Sequence, residues 1–235
     1  MARSIQDLQL ILPILAGPDG DDTHVPPVPW RPVEAPLEAA RVALATQLPG
    51  ILIDDQISAA IEELARRVAG AGGTVAEALP AIDFVAQHEL ADALFARVAG
   101  AFSEGDTPPA ESTLDAYFSA LGQRDAFIQA WERFFSTWDV LLCPAFGCTA
   151  TAHDAPAPIV NGVALAPDNQ FRPFLPSANG PISGCPVIVM PLGHDTQGMP
   201  FGVQLVGRRW DDERLLAIAT RLSALTDGFQ TPPLP

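Results

Sequence analysis

The sequence predicts an α/β fold, and two patterns carry the prediction. The first is a strand–helix–strand succession over residues 37–80. The second is a strand–turn–strand–helix unit over residues 179–225, in which two short apolar runs flank the turn cluster Gly193-His194-Asp195-Thr196-Gln197-Gly198. Strand and helix periods that alternate within some forty residues imply parallel strands joined by helical crossovers.

The elements follow in order. Residues 2–16 read as a helix. Ser4 can cap it, Asp7 approximates a capping box, and Ile5, Leu8, Ile11, Leu12 and Leu15 recur at helical spacing. Pro13 is expected to kink or end that helix. Residues 17–36 are a polar, Pro-rich connection. Residues 40–46 read as a strand, 48–53 as a loop, and 57–71 as a helix that Asp54 or Asp55 caps. Ile57, Ile61, Leu64 and Val68 form its stripe, and Gly70, Gly72 and Gly73 end it. Residues 74–78 are the return strand, so 37–80 is a βαβ unit with parallel pairing. Because the Gly pair follows a helix rather than a strand, it reads as a helix terminator and not as a phosphate loop.

Residues 82–101 look helical, with Phe84, Leu90, Leu94, Phe95, Val98 and Phe102 on one face and His88 among the polar positions. Residues 103–109 are a loop. Residues 114–138 form a long helical stretch with an expected break at Gly122. Its aromatics, among them Tyr117, Phe118, Phe127, Trp131, Phe134, Phe135 and Trp138, are expected to pack the core. Residues 139–144 (DVLLCP) are a buried strand. Residues 145–176 are irregular and rich in proline and small residues, a length of loop that is usually functional. Val187–Met190 and Phe201–Val206 are the paired strands. Asp211 and Asp212 then start the last helix, 211–225, where a carboxylate meets the positive end of the helix dipole.

Composition excludes several functions. The 235 residues carry a formal net charge of −15, which disfavours nucleic acid and anionic membranes as partners. No apolar run approaches the roughly 18 residues of a membrane span, and the first residues lack a good signal-cleavage site, so a cytoplasmic location is expected. All 13 basic residues are arginine. An amine base or Schiff base is therefore beyond this polypeptide's own side chains. Cys143, Cys148 and His153 are evenly spaced, but zinc sites favour closer cysteine pairs and need four ligands, so neither a metal nor another cofactor is expected. Ser183 and Cys185 are the remaining nucleophile candidates, for an independent esterase or cysteine hydrolase. Pro181 stands where a nucleophile elbow needs Gly, and no His lies close in sequence.

Four segments share a resemblance. MARSIQDL at the start, the βαβ unit, WDVLLCPAF, and the stretch NGPISGCPVIVMPLG followed by GMPFGVQLVGR are similar, in that order, to the later part of amidase-signature enzymes. The resemblance implies the C-terminal half of that fold, a mixed and mostly parallel sheet with helices on both faces, making 1–235 a partial domain in which 139–235 supply the last strands and helix. It implies hydrolysis of an amide through an acyl-enzyme, by a Ser nucleophile, a second Ser on a cis peptide bond and a Lys base. Those residues precede the matching region in the family, and nothing here resembles the Gly-Gly-Ser signature. No catalytic residue is therefore carried over, and the chain alone is expected to be inactive, whether its gene is truncated, its start is misassigned, or the protein is split. What the resemblance does imply is a substrate-facing set: Pro144, Phe146, Phe174 and Asn179. For each, loop packing or a turn is the competing explanation. A half-sheet would expose a strand edge, so self-association or docking onto a separate catalytic half is expected, with a small amide as substrate of the completed enzyme. A non-catalytic binding or assembly subunit is the alternative.

Overall fold

The computed structural model describes residues 1–27, 29–102, 113–151, 157–165 and 179–231; the side chains of 97–102 and 179 lie outside it. Helix α1 (Ile5–Leu15) is capped by the Ser4 hydroxyl, which accepts from Asp7 N at 3.1 Å. Strand β1 (Arg41–Leu44), helix α2 (Asp55–Gly70) and strand β2 (Thr74–Glu77) form the expected βαβ unit, with β1 and β2 parallel. Two helices follow, α3 (Phe84–Phe102) and α4 (Leu114–Phe135), and then strand β3 (Val140–Pro144). A small hairpin, β4 (Ile159–Val160) and β5 (Val163–Ala164), precedes the short helix α5 (Asn179–Ser183). The long hairpin β6 (Val187–His194) and β7 (Pro200–Gly207) leads into α6 (Asp212–Ser223).

The main sheet has the order β2-β1-β3-β7-β6. β1 pairs in parallel with β2 and β3, whereas β7 is antiparallel to both β3 and β6. Four strands therefore point one way and β7 alone points the other, the mixed, mostly parallel sheet expected. Val140, Leu141, Leu142 and Cys143 are consecutive and all 0% exposed. Side chains alternate across a strand, so β3 is covered on both faces. α2 and α6 supply one cover; they are tied together by Arg67 Nη1, which donates to the Leu225 carbonyl at 2.9 Å. Trp131, Phe134 and Phe135 of α4 join the same core, with Trp131 stacked on Phe135 at 5.8 Å between ring centroids. Trp131 buries its indole N–H against Gln87 Oε1 at 2.8 Å, which satisfies the one polar atom that would penalise its burial.

Several expectations need correction. α1 continues two residues past Pro13. The proline lies in the last turn, where the helix has little left to lose, and the Ala16 N–H bond to Leu12 O closes the end at 2.8 Å. α4 runs through Gly122 without a break, because packing on α3 and α5 outweighs one residue's weak propensity. Tyr117, Phe118 and Phe95 are exposed rather than core; Val98 and Phe102 fall outside the described side chains. Asp211 occupies the cap position of α6 but makes no side-chain cap bond, since the chain enters through Trp210 at φ 64°. The stretch 145–176 is not wholly irregular. Asn161 and Gly162, at φ 51° and 77°, form the two-residue turn of β4–β5, the conformation that Asn-Gly favours. His88 pairs with Asp92 at 3.2 Å through Nε2, while its buried Nδ1 has no hydrogen-bond partner among the described residues.

Candidate active-site face

Ligands of open α/β sheets gather at the carboxyl ends of the parallel strands. Here β1, β3 and β6 end on the same side, and the segments beyond them converge on the start of α2. Asp54 caps that helix, accepting from Gln56 N at 2.8 Å. Its own N–H donates to the carbonyl of Gly147, just past β3, at 2.8 Å. Asn161, at the tip of β4–β5, accepts from Asp55 N at 2.9 Å and donates to the Ile53 carbonyl at 2.9 Å. The tip of β6–β7 is held in turn by Thr196 N, which donates to Gln56 Oε1 at 3.0 Å. Three separate loops thus meet at one helix N-terminus. The amides of Asp55 and Gln56, which an anion would otherwise seek, are already taken by side chains.

Asp195 organises the hairpin tip. Its carboxylate accepts from Gln197 N and Met199 N at 2.8 Å each, and from Thr149 Oγ1 at 2.8 Å. The Met199 amide above all, with Thr149 and Gln197, holds its pKa below the ordinary carboxylate range. Asp195 is therefore a structural anion that fixes a turn, not a base poised near neutrality. Cys148, next to Thr149 in sequence, is half-buried, and burial together with the Asp54 charge pushes its thiol up, away from the nucleophilic thiolate.

The proposed substrate-facing residues divide. Pro144 is buried at the end of β3 opposite Val203, and Phe146 stands just beyond it, 43% exposed, so these two share the carboxyl face. Asn179 opens α5, which packs on α3 and α4. Phe174 lies outside the described residues, as does His153. Sequence reasoning passed over Asp195, Asn161 and Gln56, the residues that build this face. The Asn-Gly pair between Ile159-Val160 and Val163-Ala164 was the available signal.

The other nucleophile candidates are buried. Ser183 is fully buried and accepts from Cys185 N at 3.0 Å. Burial pushes the Cys185 thiol up to about 11 and the Cys143 thiol up to about 12; the latter donates to Gln204 Oε1 at 3.6 Å. These thiols behave as small apolar groups. At the opposite end of the sheet, Asp139 receives Arg41 Nη2 at 3.1 Å and Arg214 Nη2 at 3.2 Å, and its other oxygen accepts from Arg41 N at 2.9 Å. Burial alone would raise the Asp139 pKa, but its Arg41 bonds outweigh that and the net direction is down. Asp139 of the DVLLCP strand is thus a staple between β1, β3 and α6.

Residues 102–216 match the family model described as Amidase. Over that region the chain is similar to the amidase-signature family. A glutamyl-tRNA(Gln) amidotransferase subunit of Streptococcus agalactiae serotype Ia is 31% identical over 125 residues, covering 51% of this chain and 23% of that protein. The amidotransferase subunit of the same name from Rhodospirillum rubrum is 26% identical over 279 aligned residues, covering 99% of this chain and 53% of that one. Among solved structures, a fatty acid amide hydrolase superposes with a TM-score of 0.72 at 17% identity, over 96% of this chain and 47% of that one. The amidase-signature fold is therefore present from end to end, while the chain spans about half the length of the Rhodospirillum protein and of that structure, and less of the Streptococcus protein. No helix among the described residues is long and apolar enough to cross a membrane.

Proposed function

We propose that this chain is the carboxy-terminal part of an enzyme that hydrolyses carboxamide C–N bonds through an acyl-enzyme, and that it is inactive alone. The observation that carries the reading is the pairing of family likeness with partial coverage: a chain similar to the amidase family whose fold corresponds to 47% of a solved relative. The chemistry agrees with it. A hydroxyl nucleophile for amide cleavage needs a base, and a chain without lysine cannot supply the family's amine. Burial pushes the three thiols up, away from the nucleophilic thiolate. In this reading Pro144, Phe146, Phe174 and Asn179 line the amide substrate's pocket in the completed enzyme. Three free cysteines accord with a reducing cytoplasm.

The test is release of ammonia or amine from simple carboxamides and anilides. The purified chain is expected to give none, and the chain combined with a Ser- and Lys-bearing amidase portion to give turnover. Turnover by the chain alone, or a complex that remains inert, would contradict the proposal. The inert complex would favour the second reading, an assembly subunit. That reading has its own support in a strand edge and a helix face that are uncovered among the described residues.

A further inference from the structure

The two halves of β6 are built differently. Gly207 N donates to the Pro186 carbonyl at 3.0 Å, which sets the phase of the β6–β7 ladder. Antiparallel pairs alternate, so Ile188 and Met190 direct their amides to Leu205 and Val203, while Val187, Val189 and Pro191 direct theirs away from β7. β6 is the last strand of the sheet, so these groups face its free edge. Along the second half that edge is blunted. Pro191 has no N–H to offer, and the register slips between Pro191 and Gly193. The C-terminal segment lies alongside, across a groove of about 560 Å3 shared by residues 191–194 and 227–231. Phe229 anchors it beneath the Arg3 guanidinium, 5.4 Å from the ring centroid. Along the first half a second groove, of about 300 Å3, separates Val189 and Met190 from the Ser223–Phe229 stretch, and no described backbone group pairs with the outward groups of Val187 and Val189. Val187 and Val189 present N–H and C=O outward, and the Val189 side chain is 54% exposed.

Helix α1 lies next to this edge; residues 2–8 and 189–191 line this same groove. It is apolar almost all round. Ile5 is buried and Leu8 and Leu12 are partly buried, but Leu10 and Ile14 are 71% and 73% exposed on the other side, and Leu15, at the end of the helix, is 72% exposed. A helix with apolar residues on every side belongs between two covers, and α1 has one.

We propose that the Val187–Val189 edge and the exposed Leu10–Ile14 face of α1 form a single docking seam. An extended segment adds to β6 through the N–H and C=O groups of Val187 and Val189, stops at Pro191, and brings apolar side chains onto α1. The occupant is the remainder of an amidase-family fold. The chain corresponds to only 53% of its Rhodospirillum relative, so the structure that would continue this sheet is of that kind and that size. A second copy is disfavoured, because two chains each of net charge −15 repel. This inference rests on the reading of the chain as one part of such an enzyme.

The test co-expresses the full chain with the part of the Rhodospirillum rubrum protein that it does not match. The expected result is a one-to-one complex that Val189→Pro and the double variant Leu10→Glu/Ile14→Glu each weaken by about tenfold or more. The Val189 amide takes no part in the β6–β7 ladder, so that variant should keep the fold, as circular dichroism will report; the α1 double variant tests the seam even if it does not. Failure of the wild-type chain to bind, or binding that neither substitution weakens, overturns the proposal. So does a homodimer sensitive to the same substitutions, which would give the seam to a second copy. A complex without amide turnover refutes the hydrolytic reading and leaves the seam standing; turnover without a complex does the reverse.

Discussion

The sheet has two edges, and they are made on opposite plans. β2 is four residues long, mostly exposed, and ends in Glu77. Short, charged edge strands resist pairing with another chain. β6 is eight residues long and begins Val-Ile-Val-Met, and its second half is blunted by Pro191 and lies alongside the 227–231 segment. The first edge is finished as a surface, whereas the second is apolar and, among the described residues, unpaired at Val187–Val189. One strand order thus contains both a natural border and a seam, and the difference is written in length, charge and the placement of one proline.

Substitutions can break or sharpen this contrast. The largest effect is expected at the centre. Leu141 is 0% exposed on β3, which joins the parallel side to the β6–β7 side. Leu141→Ala should cost about 2–5 kcal/mol in urea unfolding and loosen both edges together. Asp139→Asn should act mainly on the β2 side, because Asp139 holds the backbone and side chain of Arg41 in β1, and more weakly on α6 through Arg214. A loss of roughly 1–2 kcal/mol is expected, limited by the solvent access of Arg41. Hydrogen exchange should quicken in β1 and β2 more than in α6 or the hairpin. Because the folded pKa of Asp139 is depressed, its contribution is present above the ordinary carboxylate range and fades as pH falls through the folded pKa. The wild-type chain should therefore lose this increment on acidification, and the Asn variant should not.

Val189→Lys should change stability by less than about 0.5 kcal/mol while giving β6 the character of a natural edge. Its signature is weaker association in sedimentation with the complementary portion. Glu77→Val is the smallest change: stability within about 0.5 kcal/mol and no new association, because four residues are too few to template a strand. If Glu77→Val made the chain dimerise, charge rather than length would be what finishes that edge.

Most of the scaffold was legible because it is periodic. The stripe Ile57, Ile61, Leu64 and Val68 of α2 is buried as a unit, and so are Leu215, Leu216, Ile218, Ala219 and Leu222 of α6. Local patterns failed where tertiary context decided the outcome. Gly122 did not break α4, which is held by its neighbours. Asp211 does not cap α6, and burial raises its pKa and that of Asp212 instead. Phe95, Phe118 and Tyr117 look like core residues by type and are not. The candidate face was less legible than the scaffold. Pro144 and Phe146 do share the carboxyl end of the sheet, but the links through Asp195, Thr149, Gln56 and Asn161 join residues 46 to 140 apart in sequence. No window along one chain displays contacts of that kind. The free edge of β6 was unreadable for the same reason: strand order, not strand sequence, decides which strand is last.

Amide hydrogen exchange along β6 in the isolated chain, read by NMR, tests the central claim most directly. An open seam predicts slow exchange at Ile188 and Met190, whose amides bond to β7, and exchange at Val187 and Val189 faster by about a hundredfold or more. Equal protection at all four residues would mean that the β6 edge is already paired, and would contradict the account.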